Sequence, residues 1–376
     1  MSDTGCNAGG RRVGTATVGA VTVRLTVRTA PWRSRIARLV GEVDGLVPVV
    51  KGNGYGFGRQ WLAGLAAEFT DTVAVGTVHE LEGLPAGLHA VVLTPALTTL
   101  PPSVDPAGVV LTVGRTEHVD AVVRQSGAGA PQRVIVKLAS SMQRYGGDAT
   151  LVDEARRAGL EVVGVSIHPP LAGEPSDHRR DVVARLAEID PSVPVWVSHL
   201  DPDTYATLPD SHRYRLRLGT ALWHGDRSLL HLTADVLDVR RVRGGDPAGY
   251  RLAPVAADGH LVMIGAGTAN GVTPLPDGRS PFHHEQMRLA LHEAPHMHTS
   301  MAFVPDGGPL PAVAQPVGLE TPIERVATRS GRNGAQSPGT GSDGVSRQMS
   351  TATGVSGTTP DALRTMRWPS KGWLGP

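Results

Sequence analysis

With 376 residues the chain exceeds the roughly 100–200 residues of an ordinary single domain, so two domains are the expectation. Its 36 basic and 35 acidic side chains nearly cancel, which argues against a general nucleic-acid or membrane-surface binder. Hydrophobic residues make up 40% and aromatics only 4%, so the core must be aliphatic, and the single cysteine, Cys6, excludes an internal disulfide and a cysteine-based zinc site.

The opening stretch, MSDTGCNAGGRR, lacks the apolar run of a signal peptide, and no apolar run anywhere reaches the ~18 residues of a membrane span. Residues 1–20 are therefore read as a flexible N-terminus and the protein as cytoplasmic and not membrane-bound. From 21 to 225, short apolar runs alternate with helical segments. The runs 46–50, 72–76, 89–93, 108–112, 133–138, 160–167, 193–198 and 214–218 are rich in Val, Ile and Leu and mostly continuous, as in strands buried on both faces. Between them, helices are predicted over 31–42, 59–69, 115–125, 149–158 and 177–189, with Pro31 suited to a first turn and Asp177 and Asp181 near a helix start. Eight parallel-type strands fit a (β/α)8 barrel; the competing doubly wound sheet lacks its G-x-G-x-x-G after the first strand.

Beyond Trp223 the rhythm changes. Strands are predicted over 231–243, 250–254, 259–265 and 298–304 with no helices between them, separated by turn formers such as Gly244-Gly245 and Asp258-Gly259. This is the pattern of a mostly antiparallel β domain over 226–325. The remainder, 326–376, is Gly, Ser and Thr with few aliphatic residues over most of its length, and reads as a disordered tail. The fold class is thus α/β, an N-terminal (β/α)8 barrel followed by a β domain.

Candidate chemistry clusters at the C-terminal ends of the barrel strands, where barrel enzymes build their sites. Lys51 ends the first run and is followed by Gly52, Asn53, Gly54, Tyr55 and Gly56. A lysine in a turn is by itself an ordinary surface residue; at an apolar barrel mouth, desolvation lowers its pKa and makes it a nucleophilic amine. The ten residues from Val49 to Gly58, VVKGNGYGFG, resemble the cofactor-lysine motif of the alanine racemases, VVKANAYGHG, with seven positions identical. That resemblance implies pyridoxal 5'-phosphate held as a Schiff base on Lys51, with Tyr55 among the cofactor-binding residues.

Later motifs of the family recur in order. Lys137 to Arg144, KLASSMQR, resembles KxDTGMGR through Lys137, Met142 and Arg144, while Ala139, Ser140, Ser141 and Gln143 depart from it. The resemblance implies that Arg144 contacts the cofactor's phenolic oxygen and the substrate, and that Lys137, often carbamylated in the family, positions Arg144. His168 matches the histidine that stacks on the pyridine ring, and Ser198 the serine that binds the phosphate. Arg217, Gly219 and Thr220 resemble the RxGI segment. Ser198, Gly219 and Thr220 follow strands seven and eight, where barrels commonly bind phosphate. Arg217 would face the pyridine nitrogen; a guanidinium never accepts a hydrogen bond, so the ring stays unprotonated, a weaker electron sink suited to brief proton removal and return.

The family uses two bases, the cofactor lysine and a tyrosine from the partner subunit's β domain, in a segment like IGYADG. Here that segment is Gly265 to Gly271, GAGTANG, which puts Thr268 in the tyrosine's place. A threonine hydroxyl is too weak an acid to shuttle a proton unaided. The family's CMDQ-like segment corresponds to Pro295 to Thr299, PHMHT, leaving Met297 at the position that helps hold the substrate carboxylate. His296 or His298, imidazoles beside it, is a candidate replacement base. The alternating pair also suggests one face of an exposed strand, and no third ligand supports a metal there. After Val313 no closing strand with a further tyrosine is recognised.

The expectation is an isomerase resembling alanine racemase, a homodimer that acts on a small amino acid and takes part in D-alanine biosynthesis. Two readings stand beside it: a one-base decarboxylase or D-amino-acid lyase on the same scaffold, and a cofactor-binding paralogue with little turnover.

Overall fold

The computed structural model describes residues 15–19, 22–95, 97–126 and 130–326. The flexible N-terminus assigned to 1–20 lies outside them apart from 15–19, and the disordered tail assigned to 326–376 apart from Val326. The chain divides into two compact units: residues 36–225 form one, and residues up to Arg35 together with those from Asp226 form the other.

In chain order, strands β1 (Thr15–Gly19) and β2 (Val23–Arg28) precede helix α1 (Thr29–Glu42). The barrel unit then runs β3 (Leu46–Pro48), α2 (Arg59–Ala66), β4 (Thr72–Val75), β5 (His89–Val92), β6 (Val109–Val113), α3 (Thr116–Gln125) and β7 (Arg133–Lys137). It continues through α4 (Thr150–Arg157), β8 (Glu161–Ser166), α5 (Pro175–Leu186), β9 (Val195–Ser198), α6 (Pro202–Ala206), β10 (Tyr214–Leu218) and α7 (Thr220–Trp223). All eight barrel strands predicted from sequence are present. They pair in parallel in the order β3-β10-β9-β8-β7-β6-β5-β4. The ring closes where Val49 bridges Ala74 and the Val50 N–H donates to the Ala74 carbonyl at 2.8 Å.

Why these segments form a barrel follows from their composition. Every residue of β4, β6 and β9 is buried, so each strand needs apolar cover on both faces, which only a layer of helices outside and packed side chains inside supplies. Among the described residues, no helix is long and apolar enough to cross a membrane.

The second unit is built on an antiparallel sheet. It contains β11 (Leu230–Val242), β12 (Pro247–Ala248), β13 (Ala253–Pro254), β14 (Gly259–Ile264), β15 (Phe282–His284), β16 (Met287–Arg288), β17 (Ala290–Leu291), β18 (Ser300–Pro305) and β19 (Pro316–Leu319). Of these, β12 and β13 pair as a separate two-stranded ribbon. The long β11 pairs with β2, β14 and β19, so the strand upstream of the barrel belongs to this sheet by hydrogen bonding. In β2, Val23, Leu25 and Val27 face the core while the residues between them are less buried, the period-2 pattern of a sheet covered on one face.

Two expectations are corrected. The strand predicted over 250–254 shrinks to Ala253–Pro254, because 249–252 make a turn closed by the Leu252 N–H on the Gly249 carbonyl. The closing strand sought after Val313 does exist, as β19, pairing with β11 and β15; Gly318 and the short apolar run gave it no recognisable signature.

Candidate active site

The C-terminal ends of the parallel strands point one way, so residues at or just beyond them meet at one mouth of the barrel. Lys51 lies just past β3, Lys137 ends β7, His168 follows β8, Ser198 ends β9, and Arg217, Gly219 and Thr220 sit at the end of β10 and the start of α7. The barrel residues expected from sequence are therefore brought to the same rim.

Several direct contacts tie them together. His168 Nδ1 and Ser198 Oγ form a close hydrogen bond. Arg217, 7% exposed, donates from Nη2 to the Ile167 carbonyl at 3.2 Å and to Ser198 Oγ at 3.4 Å, while its Nε is buried without a hydrogen-bond partner among the described residues. The Ser140 hydroxyl donates to the His168 carbonyl at 2.8 Å, which fixes the turn that follows β8. Beside them, at the junction of β10 and β3, the Trp223 indole donates to the Val49 carbonyl at 2.8 Å, and His224 Nε2 lies 2.8 Å from the Tyr55 carbonyl, so the short α7 anchors the lysine loop.

That loop is built on left-handed backbone. Gly54 has φ +65, and a Cβ there would lie 2.6 Å from the Arg59 nitrogen, so this glycine is required where the resembling motif has alanine. Tyr55, itself at φ 54 and buried, extends its hydroxyl over Gly219 so closely that a Cβ on Gly219 would overlap it.

The electrostatics are those of crowded cations. Solvent reaches Lys51, yet surrounding protein, reinforced by Arg144 and Arg217, holds its amine below the usual lysine range; the Glu80 carboxylate acts the other way. Lys137 is 4% exposed, and burial together with Arg217 and Arg144 brings it down to about 7. Burial and the same cations push His168 down to about 2, so its ring is neutral at ordinary pH. Burial lowers even Arg217, to about 10, and it remains a cation. The shared coulombic influence places Lys51, Lys137, Arg144, His168 and Arg217 within one another's fields.

Three contributors escaped the sequence reading. Glu80 accepts the Gly76 N–H at 2.7 Å and is the carboxylate that opposes the depression of Lys51. His199 lies with its ring centroid 4.3 Å from that of His168. Tyr145 presents its ring to the Arg144 guanidinium at 4.6 Å and to Lys137 Nζ at 5.6 Å, an electron-rich face that both cations share. A broad cleft of about 620 Å³ lined by Arg115, Glu117, His118, Arg144, Tyr145 and Asp148, among others, opens beside these two residues at the ends of β6 and β7.

In the β unit, Thr268 starts a single 3₁₀ turn, Thr268–Asn270, whose N–H groups dock on the 296–297 backbone: Thr268 donates to the His296 carbonyl at 2.7 Å and Ala269 to the Met297 carbonyl at 2.8 Å. Thr268 and Met297 are thus brought together, and Met297 is 66% exposed. His296 and His298 do not alternate on a strand: β18 begins at Ser300, and 296–299 form a turn closed by the His296 N–H on the Thr299 carbonyl at 2.9 Å. His296 Nε2 lies 2.6 Å from Glu293 Oε1.

Residues 32–225 match the family profile described as alanine racemase, N-terminal domain. No match is found among curated proteins. Among solved structures, the alanine racemase from Bartonella henselae with covalently bound pyridoxal phosphate is similar at 18% identity, TM-score 0.61, over 81% of this chain and 96% of that one. The Bacillus anthracis alanine racemase with bound L-Ala-P is similar at 19% identity, TM-score 0.62, over 83% and 86%. The Streptomyces coelicolor alanine racemase is similar at 20% identity, TM-score 0.60, over 83% and 96%. At these identities the likeness is one of fold.

Proposed function

As the chain belongs to the alanine racemase family, we propose that it is a pyridoxal-phosphate-dependent racemase of small amino acids, with alanine as substrate and Lys51 as the residue that holds the cofactor. The observation that carries the proposal is the meeting, at one barrel mouth, of an amine with a depressed pKa and a buried arginine whose Nε has no partner.

The residues fit the group chemically. Lys51 offers the more readily deprotonated amine that an aldehyde requires. Arg217 keeps a buried, unpartnered donor for a ring nitrogen or an anionic oxygen. Gly219 leaves the space beneath the Tyr55 hydroxyl that a side chain would fill, so backbone and phenol can approach a phosphate together. Ser198 and the neutral His168 are already paired at the same rim.

Bound pyridoxal phosphate would supply the electron sink that acidifies the Cα–H of an attached amino acid. Lys51 would then take or return the Cα proton on one face. Arg217 would stay charged and donate only, which limits the sink and favours prompt return of the proton over transamination. Arg144 would orient the substrate carboxylate, with Lys137 positioning it. The β domain of a second copy would complete the site in a cytoplasmic homodimer that serves D-alanine biosynthesis. The test is direct: the protein with added cofactor should show an absorbance band that Lys51→Ala removes, and should interconvert L- and D-alanine.

A second reading is favoured by one observation, Thr268 in the place of the second acid–base tyrosine. A one-base decarboxylation or D-amino-acid lyase reaction needs no such group. Deuterium entering alanine at Cα from heavy water without any inversion would favour it over racemisation.

A further inference from the structure

Arg144 stands at the barrel mouth without a counter-ion. It is exposed, and among the described residues its guanidinium makes no hydrogen bond or ion pair. Its contact is with the ring of the half-buried Tyr145, whose centroid lies 4.6 Å from the guanidinium carbon. The same ring lies 5.6 Å from Lys137 Nζ, and the Lys137 amine likewise has no hydrogen bond or ion pair among the described residues. Burial, then Arg217 and Arg144, bring Lys137 down to about 7, so Arg144 and Lys137 repel one another when both are charged. Lys137 therefore offers Arg144 no attraction of its own, whereas the ring face attracts both.

Local backbone puts the ring there. β7 ends at Lys137, and the next residue, Leu138, bridges Gly147. The Ala139 N–H donates to the Gly147 carbonyl at 2.8 Å and the Gly147 N–H to the Lys137 carbonyl at 2.9 Å, which pinches residues 138–147 into a closed loop. Inside it the Gln143 N–H donates to the Ser140 carbonyl at 3.0 Å, and the Ser140 hydroxyl ties the loop to the His168 carbonyl. Arg144 and Tyr145 thus sit on a fastened turn beside the end of β7. Tyr145 also lies in the field of Arg217, where it opposes the fall that burial imposes on that guanidinium.

We propose that the ring of Tyr145 is the positioning group for Arg144, and through it for the substrate carboxylate. This rests on the racemase reading above, in which Arg144 orients that carboxylate and Lys137 positions Arg144; the positioning passes here to the ring. A carboxylate partner would occupy guanidinium donors, since a bidentate pair uses two of the five N–H groups. An aromatic face uses none, because it attracts the charge through its quadrupole. Arg144 is fixed in this way with all its donors open to the substrate. The ring is what matters, and the hydroxyl is not needed for it.

The full-length, cofactor-loaded protein should be compared with Tyr145→Leu and Tyr145→Phe, with and without added bicarbonate. Tyr145→Leu should raise KM for alanine by roughly 2- to 30-fold with a smaller change in kcat, and Tyr145→Phe should keep the wild-type KM. A second readout needs no turnover. In the cofactor-free protein the δ protons of Arg144 should be shifted upfield by the ring current in the wild type and in Tyr145→Phe, and should return to the ordinary arginine position in Tyr145→Leu. Wild-type δ protons at the ordinary position would overturn the proposal even if neither variant folds. So would a Tyr145→Leu protein with wild-type KM, or a Phe variant as impaired as the Leu variant. A loss that bicarbonate erases would overturn it too, because a carbamate on Lys137 would then be positioning Arg144. A wild type with the ring-current shift but no Cα exchange of alanine would remove the racemase reading, and the substrate part of this inference with it, while leaving the contact between Arg144 and Tyr145 in place; the two failures are therefore distinct.

Discussion

Replacing Lys137 by methionine isolates the cost of crowding cations at the barrel mouth. Lys137 is 4% exposed, and burial, with Arg217 and Arg144 adding to it, takes its pKa from 10.5 to about 7. The folded value lies below the unfolded one, so between about pH 7 and 10.5 the unfolded chain binds more protons, and stability rises with pH across that window. Below about pH 7 both states are protonated and the cost is fully present. Between about pH 6 and pH 9 the relief amounts to roughly 2–3 kcal/mol. Lys137→Met abolishes this titration and keeps the volume. Wild-type stability minus that of the variant should therefore increase by roughly 2–3 kcal/mol between those two pH values, and any packing difference cancels in the comparison. Urea unfolding followed through the barrel tryptophans, Trp61, Trp196 and Trp223, in buffer stripped of carbon dioxide measures it. Adding bicarbonate at the higher pH should stabilise the wild type alone, because carbamylation consumes a neutral amine. A difference that stays constant with pH, or that shrinks as pH rises, would refute the reasoning.

Gly54→Ala should destabilise the barrel unit by about 1–3 kcal/mol, since φ +65 and the nearby Arg59 nitrogen both oppose a Cβ; denaturant midpoints would show it, even though the resembling motif carries alanine there. Gly219→Ala should weaken cofactor binding by at least roughly tenfold, because the new methyl displaces the Tyr55 hydroxyl; a spectrophotometric titration measures this, and adding Tyr55→Phe should recover stability but not affinity. His168 is held down to about 2 against an ordinary 6.5, so its contribution costs stability progressively as pH falls below about 6.5. Thermal melts from neutral to acid pH should show a steeper loss for the wild type than for His168→Asn.

The barrel was legible because its strands are continuous aliphatic runs, a signal that survives without any partner information. The lysine loop was legible as a motif but not as geometry. The two glycines that replace alanines looked like small exchanges, and Gly54 turns out to hold a backbone conformation that a side chain would strain. The residues missed at the mouth share a reason. Glu80 reaches Lys51 from a 3₁₀ turn after β4, His199 adopts φ 61 just past β9, and Tyr145 sits in the loop after β7, so none of them is specified by strand periodicity. In the β unit, β15, β16 and β17 are two or three residues each, shorter than any alternation can reveal. The turn at 296–299 mimicked a strand because histidines two apart carry the same spacing as a sheet face.

The mouth is costly to build, and its cost indicates what it is for. Lys137 and Arg217 are both buried, and both have pKa values lowered chiefly by loss of water, with Arg144 lowering each further. The resembling motif carries an aspartate two residues after its lysine; here Ala139 stands in that place, so the strand end offers no carboxylate beside Lys137. Evolution of a stable fold alone would favour apolar side chains of similar volume at such positions, which are commonly neutral or stabilising when they replace buried charge. Buried cations set against that gradient, around a glycine whose missing side chain opens space under a tyrosine hydroxyl, are what a receptor for a small, multiply charged anion would need. The same fields lower the pKa of Lys51, so anion recognition and amine reactivity would arise from one arrangement of charge.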